Sequence, residues 1–151
     1  MSSHDLLQRM YRHMAWADAR TLAVLRSMAE PPPQAVDLFA HMLTAEHVWL
    51  RRIEDVEPTY EVWQSLGLDE CERLARANRE AFARMLDGTD RTRAVSYHTT
   101  NGTPHTTPLE DILVHVSHHG MYHRGQISLL VRASGGTPVS TDYIVFHRER
   151  D

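Results

Sequence analysis

The chain has 151 residues, 42% apolar and 24% charged, with a formal net charge of −4. These values suit one globular domain, residues 1–151, with a real hydrophobic core, and an acidic chain without a concentrated basic face is not expected to bind nucleic acid. The polar start MSSHDLLQRMYRH has no signal-peptide pattern, and no run approaches the roughly 20 apolar residues of a membrane span, so a soluble, cytoplasmic chain without membrane contact is expected. The single Cys71 excludes an internal disulfide and a multi-cysteine zinc ribbon. It sits in the helical pattern LDECERLARANREAF and reads as structural.

Taken in chain order, Leu7, Met10, Tyr11, Met14, Leu22, Leu25 and Met28 recur at helical spacing and predict a first amphipathic helix over residues 4–29. Pro31 to Pro33 end it, because a residue before proline is pushed out of the α region. A second helix is expected over about 34–53, with Phe39, Leu43, Leu50 and Ile53 as its apolar stripe. The segment EDVEPTYEVWQSLG carries Pro58 and Gly67 and reads as irregular or only partly helical. A third helix follows over about 68–87 and stops at Gly88. Around Asn101-Gly102, β-branched residues flank a pair that tolerates positive φ, a hairpin signal. The fourth helix opens with Thr107 as expected N-cap, Pro108 in the first position and Glu110 completing a capping box, and runs to about Ser134 before Gly135-Gly136. Four long helices with a small hairpin before the last predict an all-α four-helix bundle.

That last helix contains HVSHHGMYHRGQISLL, with His115, His118, His119 and His123 within nine positions. Side chains four apart share a helix face, so His119 with His123, or His115 with His119, can converge on one cation. A third ligand must come from a facing helix, where AHMLTAEHVWLRRI offers His41 and His47. The H-x-x-x-H spacing resembles that of zinc proteases, but no H-E-x-x-H is present to supply their glutamate base. The competing reading is a solvated, histidine-rich face. His118 is turned about 100° from His119 and reads as a pocket-edge or surface residue, while His4, His13, His98, His105 and His147 read as scattered surface residues. Periodicity alone favours His47 over His41, since His47 lies nearer the apolar stripe. A di-iron carboxylate bundle is disfavoured, because no glutamate has a histidine three residues later.

Several blocks in order resemble the DinB-like family, within the DinB/YfiT metal-binding superfamily. YRHMAWADARTL is similar to its first-helix signature, with Asp18 where asparagine is usual. LFAHMLTAEHVWLRRI matches its histidine, acidic residue and Trp-Leu block, and HHGMYHRGQISLLVRASGGTPVSTDYIVF is the strongest match. The resemblance implies an up-down-down-up bundle, commonly a homodimer, with a divalent metal, zinc or nickel, held by three histidines. Carried onto this chain, those ligands are His41, His119 and His123. His47 and His115 are left as pocket-lining or orienting residues.

Some members of the wider superfamily transfer or use a low-molecular-weight thiol such as bacillithiol. The expected function is therefore a metal-dependent thiol transferase acting on a small-molecule electrophile, with no cysteine of its own required. Tyr122 and Arg124 lie too close in sequence to the ligands to share their face and are given no catalytic role. The alternatives are a metal-dependent hydrolase, for which Glu46 is the nearest candidate base, and a non-catalytic metal- or small-molecule-binding stress protein.

Overall fold

A computed structural model of the chain describes residues 3–88 and 90–149, with side chains from residue 6 onward; His4 lies outside the described side chains. The elements are α1 (Ser3–Ser27), α2 (Pro33–Glu54), α3 (Leu68–Gly88), β1 (Ala94–His98), β2 (Pro104–Pro108), α4 (Leu109–Ala133) and α5 (Tyr143–Glu149). The chain is mostly helical, with a small two-stranded antiparallel sheet. α2 packs on both α3 and α4, and α1 closes the assembly against α3 and α4.

Two apolar clusters fill the interior. One joins Leu7, Tyr11 and Met14 of α1 to Leu50 and Ile53 of α2, Phe82 and Leu86 of α3, and Leu109, Ile112, Leu113 and Val116 of α4. The other joins Leu22 and Leu25 to Phe39 and Leu43, Cys71 and Leu74, and Ile127 and Val131. Each such side chain contributes about 1.5–3 kcal/mol on burial, so these clusters fix how the helices lie against one another. Between the clusters runs a polar layer with one residue from each long helix: Asp18, Glu46, Asn78 and Arg124, all buried. Arg124 Nη1 donates to Asp18 Oδ1 at 2.9 Å. Asn78 Nδ2 donates to the Leu43 carbonyl at 3.0 Å and to Glu46 Oε1 at 3.4 Å. Gly120 leaves room for the guanidinium, since a Cβ there would stand 3.1 Å from Arg124 Nη1.

The proline run separates α1 from α2, and Pro33 opens the second helix, where its missing N–H leaves no bond unmade. The segment between α2 and α3 is irregular, as its Pro58 and Gly67 suggested. The start of α4 differs from expectation. Thr107 belongs to β2, where its hydroxyl meets the Tyr97 hydroxyl at 3.0 Å, so Pro108 takes the cap position with no side-chain bond and no capping box forms. At the hairpin only Gly102 adopts positive φ, at 88°. The loop is held by Thr99 N–H on the Thr103 carbonyl and Gly102 N–H on the Thr99 carbonyl, each 2.8 Å, so it is longer than the two-residue turn that Asn-Gly signals. Gly135, with φ 85°, ends α4 as expected.

α5 has no counterpart in the periodicity reading. It packs on α1 around His13, whose Nε2 donates to the Thr141 carbonyl at 2.7 Å and whose ring meets Trp16, Tyr143 and Phe146. His13 is therefore buried, not a surface residue. His98, His105, His118 and His147 are exposed.

Candidate metal centre

His119 and His123 face the same way from α4, one turn apart, and their Nε2 atoms lie 3.1 Å from each other. His41 meets them from α2, its ring centroid 5.1 Å from that of His119 and 4.8 Å from that of His123. One nitrogen from each of the three rings falls within 4.8 Å of the others. Two nitrogens bound at about 2.0–2.1 Å to a tetrahedral ion sit roughly 3.4 Å apart, so the His119–His123 spacing is close to what a shared ion needs. No other such group of histidine, cysteine or carboxylate ligands occurs among the described residues.

The far sides of two rings are anchored. His41 Nδ1 donates to the Val62 carbonyl at 2.9 Å, and His123 Nδ1 donates to Gln126 Oε1 at 2.7 Å. With the proton fixed on Nδ1, Nε2 carries the lone pair in the neutral ring, which is the form that ligates metals. Burial, then the neighbouring His123, His41 and His115, pushes the pKa of His119 down to about 4. Burial also lowers that of His41, against the pull of the Val62 carbonyl. Near neutral pH these two rings are uncharged and available as donors.

Two aromatic rings border the cluster. Trp63, from the irregular segment after α2, lies flat on His41 at 3.6 Å between centroids and 4° between planes, yet keeps 62% of its surface exposed. Tyr122 is 66% exposed and turns its ring towards His123 at 5.2 Å. Tyr122 thus touches the cluster's border, while Arg124 points away to Asp18. His115 is exposed, with its ring 5.8 Å from that of His119.

Of the two second-helix histidines, His41 is the one whose ring meets the α4 pair. His47 is also buried, but its Nε2 accepts the Thr59 backbone N–H at 3.0 Å and its ring meets Tyr60. It pins the irregular segment and leaves the cluster to His41. Periodicity does not pick out the convergent histidine because α2 is buried continuously from Phe39 to Val48, so closeness to an apolar stripe does not tell which side chain meets α4. Glu46 does not serve the cluster either: it bonds Asn78 in the polar layer.

Residues 1–151, the whole chain, match the family model described as DinB family. The chain belongs to the DinB family. No curated protein matches it. In this DinB-family chain the three histidines suggested by resemblance are the three that geometry brings together. Val62, Trp63 and Gln126 were not foreseen. Gln126 stands three residues after His123, a helical spacing from which its reach to Nδ1 was readable. Val62 and Trp63 depend on the path of an irregular segment, for which the sequence carries no periodic signal.

Proposed function

We propose that His41, His119 and His123 hold a divalent metal ion, zinc or nickel, and that the site works as a metal-dependent transferase placing a low-molecular-weight thiol on a small electrophile. The observation that carries the metal reading is the convergence of three imidazoles, two of them held by hydrogen bonds at Nδ1. A three-histidine set leaves coordination positions open, as catalytic sites do and structural sites do not. The bound ion supplies a Lewis acid that favours the deprotonated form of an added thiol.

The chain's own residues then have distinct tasks. The Val62 carbonyl and Gln126 orient two of the donors, while Trp63 and Tyr122 present exposed rings against which an organic substrate packs. Cys71 does not compete as nucleophile: it is fully buried, and burial pushes its thiol up to about 11. The thiol must therefore come from outside. Its sulfur forms a bond to the electrophilic carbon, the leaving group departs with the electron pair of the broken bond, and the thiol proton passes to solvent. A hydrolase is less well supported, because among the described residues no carboxylate joins the cluster to act as base and Glu46 is engaged elsewhere. The placement of the two core clusters supports an up-down-down-up order of α1 to α4 in a single domain. A cytoplasmic homodimer is part of the same reading; among the described residues no helix is long and apolar enough to cross a membrane.

The test is metal analysis of purified protein, then assay of the zinc- or nickel-loaded chain with bacillithiol and monochlorobimane. One ion per chain, lost in His119→Ala/His123→Ala, and metal-dependent conjugation are expected. Absence of bound ion in the wild type after loading overturns the site. Binding without conjugation across several thiols, or ester hydrolysis without added thiol, overturns the transferase.

A further inference from the structure

Arg52, in the last turn of α2, lies over two aromatic rings. Its guanidinium carbon is 4.7 Å from the centre of Trp49 and 5.6 Å from that of Tyr97 in β1. Among the described residues no carboxylate pairs with it. Burial pulls its pKa below the ordinary arginine value, and only Tyr97 acts the other way. The rings fix where the guanidinium stands and leave its N–H groups unanswered.

Arg52 lines an open hollow of about 510 Å³ with Thr99, Thr100, Asn101, Thr103 and His105 of the hairpin. Asn101 Oδ1 accepts from the Thr99 hydroxyl and, at 2.9 Å, from the Thr103 hydroxyl. That leaves the Asn101 NH2 as a donor with no partner among the described residues. The hollow thus offers donors, one permanent positive charge and no negative one. Such a set takes an anion. A guanidinium edge matches a carboxylate with two parallel N–H bonds, and a single positive charge balances it, whereas a phosphate dianion asks for a second cation.

A line of rings joins this hollow to the candidate metal centre. From His119 the next ring is His115 at 5.8 Å, then Trp49 at 5.6 Å, with Arg52 over Trp49. His115 is exposed and Trp49 half-buried, so the line follows the surface between α2 and α4. Along α2, Arg52 stands eleven residues after His41, about 16 Å of rise but only about 20° of rotation. Both side chains therefore leave the same side of the helix. Arg52 leans back over Trp49, three residues nearer the histidines, which sets the guanidinium roughly 10–16 Å from the clustered nitrogens.

We propose that Arg52 and Asn101 form a carboxylate subsite of the three-histidine centre, and that the thiol taken there carries its carboxylate far from its sulfur. The sulfur sits at the histidines, the body of the thiol lies along His115 and Trp49, and the carboxylate reaches Arg52. The Trp63 and Tyr122 side of the cluster is then left to the electrophile. A thiol the size of cysteine cannot reach both ends. The identity of the occupant rests on the metal and thiol reading; the anion site does not.

Titration of the zinc-loaded chain with ω-mercaptoundecanoate, ω-mercaptoundecanol and mercaptopropionate tests length and charge together. The long acid is expected to bind at least tenfold tighter than either of the others. Arg52→Gln brings it to the affinity of the long alcohol and leaves the alcohol and mercaptopropionate unchanged. Hexanoate added to metal-free protein tests the anion site alone. In proton–nitrogen correlation spectra the Arg52 Nε–H and Trp49 indole signals should shift saturably, and Asn101→Asp, which adds a negative charge to the hollow, should abolish the shift. Equal affinity of the long acid and the long alcohol, an advantage that survives Arg52→Gln, or hexanoate that moves neither signal overturns the subsite and leaves the metal centre standing. Failure of all three thiols to bind, with the hexanoate shifts present, overturns the thiol reading instead. Should Arg52→Gln disturb the hairpin, Asn101→Asp and the comparison of acid with alcohol on wild-type protein still decide.

Discussion

Gln126 Oε1 accepts the Nδ1 proton of His123 at 2.7 Å, from less than one helical turn further along α4. The bond selects the tautomer that leaves His123 Nε2 free to face His119. Outer partners of this kind typically account for 10–100-fold in metal affinity. Gln126→Leu is expected to weaken zinc binding by about that factor while leaving the circular dichroism spectrum unchanged. A chelator-dye competition titration measures it. An unaltered affinity shows that His123 is held by packing alone.

His47→Ala provides the contrast. His47 accepts the Thr59 backbone N–H and touches Tyr60 without joining the cluster, so its removal strands a part-buried donor. The cost is expected to be about 1–3 kcal/mol in urea unfolding, with full metal stoichiometry retained. His41→Ala should show the opposite pattern, loss of the ion with a smaller change in the stability of metal-free protein. If His47→Ala strips the ion and His41→Ala does not, the third ligand is misassigned.

These two histidines show where sequence reading succeeds and stops. The apolar spacing of Leu7, Tyr11 and Met14, or of Phe39, Leu43, Leu50 and Ile53, places helices because burial on one face imposes the 3.6-residue period. The α4 pair was equally readable, since His119 and His123 depend only on local helix geometry. Choosing between His41 and His47 depends on which side of a fully surrounded helix meets α4 and which meets the segment at Thr59, and resemblance supplied what periodicity did not. Thr107 illustrates a local signal overridden by tertiary pairing, as the β2 strand claims the residue before it can cap. α5 is too short for a period to show, and it is held by packing on His13 and Trp16.

Arg124 and Asp18 form a buried pair, with side chains 2% and 10% exposed. Removing one partner leaves a lone charge in the core, at a cost of about 3–5 kcal/mol. Arg124→Met is expected to lose that much stability, and Asp18→Leu/Arg124→Met to regain a large part of it, because the desolvation of both groups disappears together. Chemical denaturation of the three proteins gives the comparison. A double variant as unstable as Arg124→Met shows that the layer's remaining members, Glu46 and Asn78, need the pair for more than charge balance.

The histidines and Glu46 predict opposite pH slopes. Burial lowers the pKa of His13, His41, His47 and His119 from an ordinary 6.5, that of His119 to about 4. Between those values the unfolded chain binds more protons than the folded one, so metal-free protein should be most stable above about pH 6.5 and lose stability as pH falls towards 4. For Glu46, burial first and then Asp18 raise the pKa well above 4.5. There the folded state holds the extra proton, and the stability tied to it is lost as pH rises through the raised value. Thermal melting of chelator-treated protein across this range should therefore show an acid-side fall that is reduced in His119→Ala and steepened in Glu46→Gln, which keeps the shape of a neutral carboxyl without a titrating proton and so removes the opposing slope. An acid-side slope untouched by His119→Ala would mean that His119 titrates normally, and the ring would not be the pre-neutralised ligand that the cluster requires.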